Sequence, residues 1–332
     1  MKHPITGEPA KLTHHTVTRS FRKESFEVVE HFYQSEESGE TFSTEEQDEL
    51  ALQQVYNLFR ERHHIPFPAE IRRIREQYGL SASKMSEVLD FGINSYRNYE
   101  QGEIPSLANA KLIRLARDPH NFRRFVEEKE AIFSKNAFRK AMDKLASLTQ
   151  ENRLDSVVSY LWNFHLEANS FTGFVKPSFD KVANFVLYFA KQIQPRKTRL
   201  NKLMFYADFL HYKQHGFSIS GCNYRAIPFG PVPSHFRELF GMLEAEGYVQ
   251  IEEEIFEHGG VGERFIADKQ EFDETIFSAS ELVAMKQVAE KFAQTKTAEI
   301  IDISHEEDGW KDNHAARELI NYQSYAFELK GI

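Results

Sequence analysis

Cysteine is nearly absent: Cys222 stands alone in 332 residues. One thiol excludes an intrachain disulfide and any zinc cage built from several thiolates, and it fits a reducing compartment. No stretch approaches the roughly eighteen uninterrupted apolar residues of a membrane span. The opening residues, "MKHPITGEPAKLTHH", are too polar for the core of a signal peptide. Nucleophile elbows, glycine-rich phosphate loops and cofactor motifs are missing as well, and so are internal repeats and low-complexity tracts. These gaps lead to the expectation of a cytoplasmic chain that is no enzyme, with no cofactor, no metal and no membrane.

A hydrophobic content of 41% argues for a globular protein, and the length allows two to three domains. Carboxylates outnumber cations, 50 to 41, but unevenly. From Glu70 to Gln150 there is a cationic excess of roughly four, whereas Glu244 to Glu274 is dense in carboxylates. DNA affinity follows local cationic density over the phosphates, so one basic module can sit inside an acidic chain.

Patterning predicts mainly α structure with small β elements, an α+β class. Residues 1–67 form a small β plus helix region. Val17, Phe21, Phe26, Val28 and Phe32 mark short strands, and "EEQDELALQQVYNLFRERHH" is a helix with Leu50, Val55, Leu58 and Phe59 inward. Residues 68–120 are short helices, and 121–173 a helical connector whose Lys and Arg are read as a solvated face. Residues 174–332 make a helical domain with a β-hairpin. Within it, "FDKVANFVLYFAKQI" is amphipathic, whereas "TRLNKLMFYADFLHYKQHG" is apolar nearly all round and should be a buried central helix ended by Gly216. Closing helices are expected at 280–293 and 314–330.

In "LSASKMSEVLDFGINSYRNYEQGEIPS" Ser81 can cap a helix carrying Met85, Val88 and Leu89 inward. Ser86 is small enough for close approach, "DFG" turns, and Asn94 begins a second helix with Tyr96 and Tyr99 inward. Asn94, Ser95, Arg97 and Asn98 would face a major groove, with Ser83 and Lys84 as flanking donors. A helical packing module without DNA is the plain alternative. The segment resembles the Xre/Cro-type helix-turn-helix, closest to that of MqsA/HigA-type antitoxins, over about 70–120. In that family the residue at Asn94 and a basic residue at the position of Asn98 help read the operator; here Arg97 precedes an asparagine. MqsA-like relatives carry zinc-binding cysteine pairs ahead of this motif, which "QSEESGETF" lacks, so the small β-region must be held by apolar packing.

Asp208, His211 and His215 share one helical face at metal-site spacing, without a general-base glutamate between the histidines. Bracing of a buried helix end is the plainer reading. His305, Glu306 and Asp308 in "SHEEDGW" could serve acid–base chemistry, and Cys222 with a histidine could make a nucleophile; neither has a recognisable companion motif. The stretches "LNKLMFYADFLHYKQHGFSISGCNYRAIPFGPVPSHFREL", "AEIIDISHEEDGW" and "INYQSYAFEL" are similar to the Panacea domain, also called SocA-like, over about 175–330. That family implies antitoxins that neutralise unrelated toxins by direct binding, one branch adapting its toxin for proteolysis. Its motif positions are Lys202, Tyr206, Asp208, His211, Pro228, Gly230, Pro231, Ser304, His305, Glu306 and Trp310.

The expected protein is a bacterial type II antitoxin that binds a co-encoded protein toxin through its C-terminal part and operator DNA as a homodimer. A regulator sensing a ligand or protein, and a proteolysis adaptor, are the alternatives. The acidic 244–274 stretch is either a steering surface for a basic toxin or a solvated hairpin.

Overall fold

The computed structural model describes residues 2, 7–150, 167–255 and 261–332. Parts of the polar N-terminus, of the expected connector (151–166) and of the acidic stretch (256–260) lie outside them. The chain forms two compact units, Met1–Val55 with His165–Ile332, and Tyr56–Phe164. Patterning places the region boundaries at 67/68, 120/121 and 173/174 instead. Helices dominate and the sheets are small, two of three strands and one of two.

The first unit opens with β1 (Ala10–Phe21) and β2 (Glu24–Ser35), twelve residues each where short strands were expected. They pair from Ala10↔Ser35 to Phe21↔Glu24, and β3 (Thr41–Phe42) joins the β2 edge. The turn is Arg22–Lys23, both at positive φ, 48° and 70°. Phe26 and Val28 are buried. Helix α1 (Glu45–Arg62) follows, and the division between the units falls within it. Its buried Gln54 exchanges hydrogen bonds of 2.8 Å with both the N–H and C=O of Val29, and accepts another from Gln323 at 2.9 Å. Phe327 packs on the His31 ring, and His14 meets Glu328 at 2.7 Å, so the strand pair is sewn to the last residues of the chain.

The second unit is helical: α2 (Pro68–Glu76), α3 (Ala82–Val88), α4 (Ser95–Glu100), α5 (Leu107–Leu115), α6 (Pro119–Glu128) and α7 (Lys135–Gln150). Local chemistry sets the helix starts. Ser81, Ser106 and Asp118 accept backbone N–H bonds as caps, and Pro68 and Pro119 occupy first-turn positions where no N–H is needed. One core gathers Ile71, Met85, Val88, Tyr96, Ile113, Phe122 and Leu145. Buried Ser86 accepts the Tyr96 N–H at 3.1 Å, and Tyr96 donates to the Ile71 carbonyl at 2.8 Å.

The rest of the first unit is built on α8 (Phe179–Ile193) and α9 (Lys197–His215). Every residue of α9 from Leu200 to Tyr212 is buried, as its all-round apolar pattern predicts. Gly216 at φ 73° returns its N–H to Tyr212 and ends the helix. Around it lie β4 (Tyr224–Ile227), β5 (Gly230–Pro233), α10 (Phe236–Ala245), the hairpin β6 (Gln250–Ile255) with β7 (Val261–Ile266), α11 (Ala279–Lys291), α12 (Thr297–His305) and α13 (Asp308–Asn313). The helix expected over 314–330 is absent. Instead β8 (Leu319–Ile320) pairs with β4, and α14 (Tyr322–Tyr325) is a single turn capped by Asn321. The β4 edge claims the backbone hydrogen bonds of 319–320, which overrides the local helical pattern.

Candidate functional site

Four α9 side chains the sequence singled out, Lys202, Tyr206, Asp208 and His211, are all buried. The Lys202 ammonium donates to the Pro231 carbonyl at 2.8 Å, and burial pushes its amine down to about 7. Gly230, at φ 90°, lies directly on this lysine. A Cβ there would stand 2.6 Å from the Lys202 Cε, 2.8 Å from its Nζ, and against the Ser304 hydroxyl. Side-chain-free backbone is thus what lets β5 close onto α9 and α12. Ser304 itself donates to the Ile301 carbonyl at 2.8 Å.

His305 stacks on Trp310 with ring centroids 3.8 Å apart, and Trp310 stacks in turn on His314 at 4.3 Å. The Trp310 indole N–H donates to the Ile227 carbonyl at 2.8 Å. Burial, then the neighbouring Lys202 charge, lower the His305 pKa. Lys202, Gly230, Pro231, Ser304, His305 and Trp310 therefore converge on the β4–β5 loop, whose apex is Pro228–Phe229.

Asp208 serves a different place. It accepts from the N–H groups of Ile219 and Ser220 at 2.8 Å each, from the Ser220 hydroxyl, and from Tyr224 at 2.7 Å. Complete burial outweighs these donors and lifts its carboxyl to about 6. His211 bonds the Phe217 carbonyl at 2.7 Å and Ser280 at 3.1 Å, and burial lowers it to about 4, so it is neutral. Asp208 and His211 thus fold the segment after Gly216 back onto α9. The Cys222 thiol is buried and pushed up to about 12, far from thiolate chemistry.

His305, Glu306 and Asp308 do not converge. Exposed Glu306 pairs with Lys311 at 2.7 Å and Asp308 with Lys330 at 2.5 Å. The buried carboxylate of this stretch is Glu307, which sequence reasoning passed over. It accepts from Tyr206 at 3.1 Å and from the N–H groups of Lys330 and Gly331 at 3.0 and 2.8 Å, and burial raises its pKa. Tyr224 and Ser220 were missed too. Nothing local marks them; only their tertiary partner, Asp208, gives them a role.

In the second unit, Asn94 stands at the N-cap of α4 and is exposed, as are Arg97 and Asn98; Ser83 and Ser95 are half-buried. Lys84 is engaged within the unit: its ammonium donates to Glu87 at 2.5 Å and to the Ile132 carbonyl at 3.0 Å, 5.3 Å from the Phe133 ring centre.

Residues 200–311 match the family described as antitoxin SocA-like, Panacea domain. The match begins at the buried turn of α9 and ends one residue past Trp310, so it encloses every side chain that meets at the β4–β5 loop. An antitoxin-type domain is thereby identified within the chain. Neither the curated proteins nor the solved structures gave a match. Among the described residues no helix is long and apolar enough to cross a membrane.

Proposed function

We propose that this chain is the antitoxin of a type II toxin–antitoxin pair, in which the 200–311 region binds and silences a co-encoded protein toxin. The observation that carries the reading is the antitoxin-domain match over those residues. Three of its buried charged groups make internal bonds: Asp208 to the 219–224 segment, Glu307 to Lys330 and Gly331, Lys202 to Pro231. Inhibition by direct binding needs no chemical step from them.

The second part of the proposal is that α3 and α4 act as a helix-turn-helix on operator DNA, as a homodimer, so that the chain represses its own locus. Support comes from the exposed Asn94, Arg97 and Asn98 on a helix anchored by Tyr96 and Tyr99. Charge supports it as well. Residues 56–164 hold 18 Lys and Arg against 14 Asp and Glu, the reverse of the chain as a whole.

Growth of cells expressing the neighbouring open reading frame, with and without this chain, tests the first part. Toxicity relieved by co-expression is the expected result; toxicity without relief contradicts it. Absence of toxicity, combined with operator retention, would select the second reading, a regulator without a toxin. The exposed polar row of α4 is the feature that supports that alternative.

A further inference from the structure

Among the described phenylalanines only Phe171 and Phe229 are exposed, at 37% and 67%. Phe229 sits at the apex of the two-residue loop where Ile227 pairs with Gly230. Nothing in the strand pairing asks for an aromatic there. Yet the backbone around it is held from below on both sides. Trp310 bonds the Ile227 carbonyl, and buried Lys202 bonds the Pro231 carbonyl. Pro228 fixes its own φ, and Gly230 admits the lysine where a Cβ would strike it. A buried amine is a costly way to secure a turn, and such local costs cluster where a surface is used.

We propose that Phe229 is the anchor with which the 200–311 region seats its protein partner, its ring entering an apolar pocket on a basic protein. Lys202, Gly230 and Trp310 are positioning residues that hold the loop in its bound shape beforehand. The inference rests on the reading that this region receives a toxin. A convex apex cannot enclose a small molecule, whose sites are concave, so the pocket belongs to the partner. The unit that carries Phe229 has 36 Asp and Glu against 23 Lys and Arg, which complements a cationic partner and repels a second copy. Rigid aromatic anchors are the residues that dominate interface energies, and holding one in place removes the entropy of ordering it.

The test uses the full chain and the purified product of the neighbouring open reading frame, titrated by calorimetry. Phe229→Ala should raise Kd about thirtyfold while leaving the unfolding midpoint and operator retention as in the unsubstituted chain. Unchanged Kd in this variant overturns the anchor and leaves the toxin reading intact. Failure of the unsubstituted chain to bind that product overturns both. If Phe229→Ala instead lowers the mass of the chain alone in sedimentation, the loop serves a second copy and the proposal falls. Lys202→Met should weaken binding in Phe229 but add little in Phe229→Ala, because its effect runs through the ring. Fully additive losses would overturn the positioning role.

Discussion

Lys202 ties one buried amine to a measurable pH response. Its unfolded value is 10.5 and its folded value about 7, so between them the unfolded chain holds a proton that the native chain has released. Stability from this group is therefore complete above 10.5 and lost as pH falls towards 7. From pH 7 to pH 9 the protein should gain about 2 kcal/mol that Lys202→Met lacks, read by urea unfolding at both values. Identical pH slopes in the two proteins would refute the burial of a charged amine. Asp208 has the opposite kind of role, since four donors point at it. Asp208→Asn turns an amide N–H towards some of them and should cost about 3 kcal/mol, again by denaturant. An unaltered midpoint would mean that those donors find other partners.

At the scale of single elements, the turn between β1 and β2 places two consecutive non-glycine residues in left-handed backbone. Arg22 and Lys23 both take left-handed φ, which side chains with a Cβ resist. Replacing the pair with Asn–Gly should stabilise the protein by about 1 kcal/mol, seen as a higher thermal midpoint. A lower midpoint would show that the two side chains contribute more than the backbone strain costs. For α4, Arg97→Ala with Asn98→Ala should weaken operator retention at least tenfold in a gel-shift titration without changing relief of toxicity. Equal loss of both activities would contradict the proposed division of labour. The elements that patterning reveals are those whose own residues decide them: α9, apolar on all sides; α3, capped by Ser81; and α4, held by Tyr96 and Tyr99. What patterning misses depends on distant partners. Leu319–Ile320 reads as helix until β4 supplies its hydrogen bonds, and nothing local in the sequence marks Gln54, Arg60 and Glu307 for burial. Of the candidate site, the residue types under the β4–β5 loop are visible in the sequence. Their convergence is not, because α9, β5 and α12 are separated by long stretches of chain.

Across the whole molecule the net charge of −9 conceals a division. The surplus of carboxylates belongs to Met1–Val55 with His165–Ile332, and the surplus of cations to Tyr56–Phe164. Each surplus suits the partner proposed for its unit. Raising salt should therefore slow association with a basic toxin by about tenfold and alter its dissociation little, measurable by surface-based kinetics. Dissociation that speeds up instead would place the charges inside the contact.

His14 and Glu328 touch across 314 positions of sequence. A ribosome adding about 5–20 residues each second needs on the order of half a minute to bring the second of them out after the first. Throughout that interval the strand pair waits with His14 and His31 lacking the partners, Glu328 and Phe327, that later meet them. The fold of this unit is therefore completed late in translation, and a chain cut short upstream of Phe327 lacks both contacts.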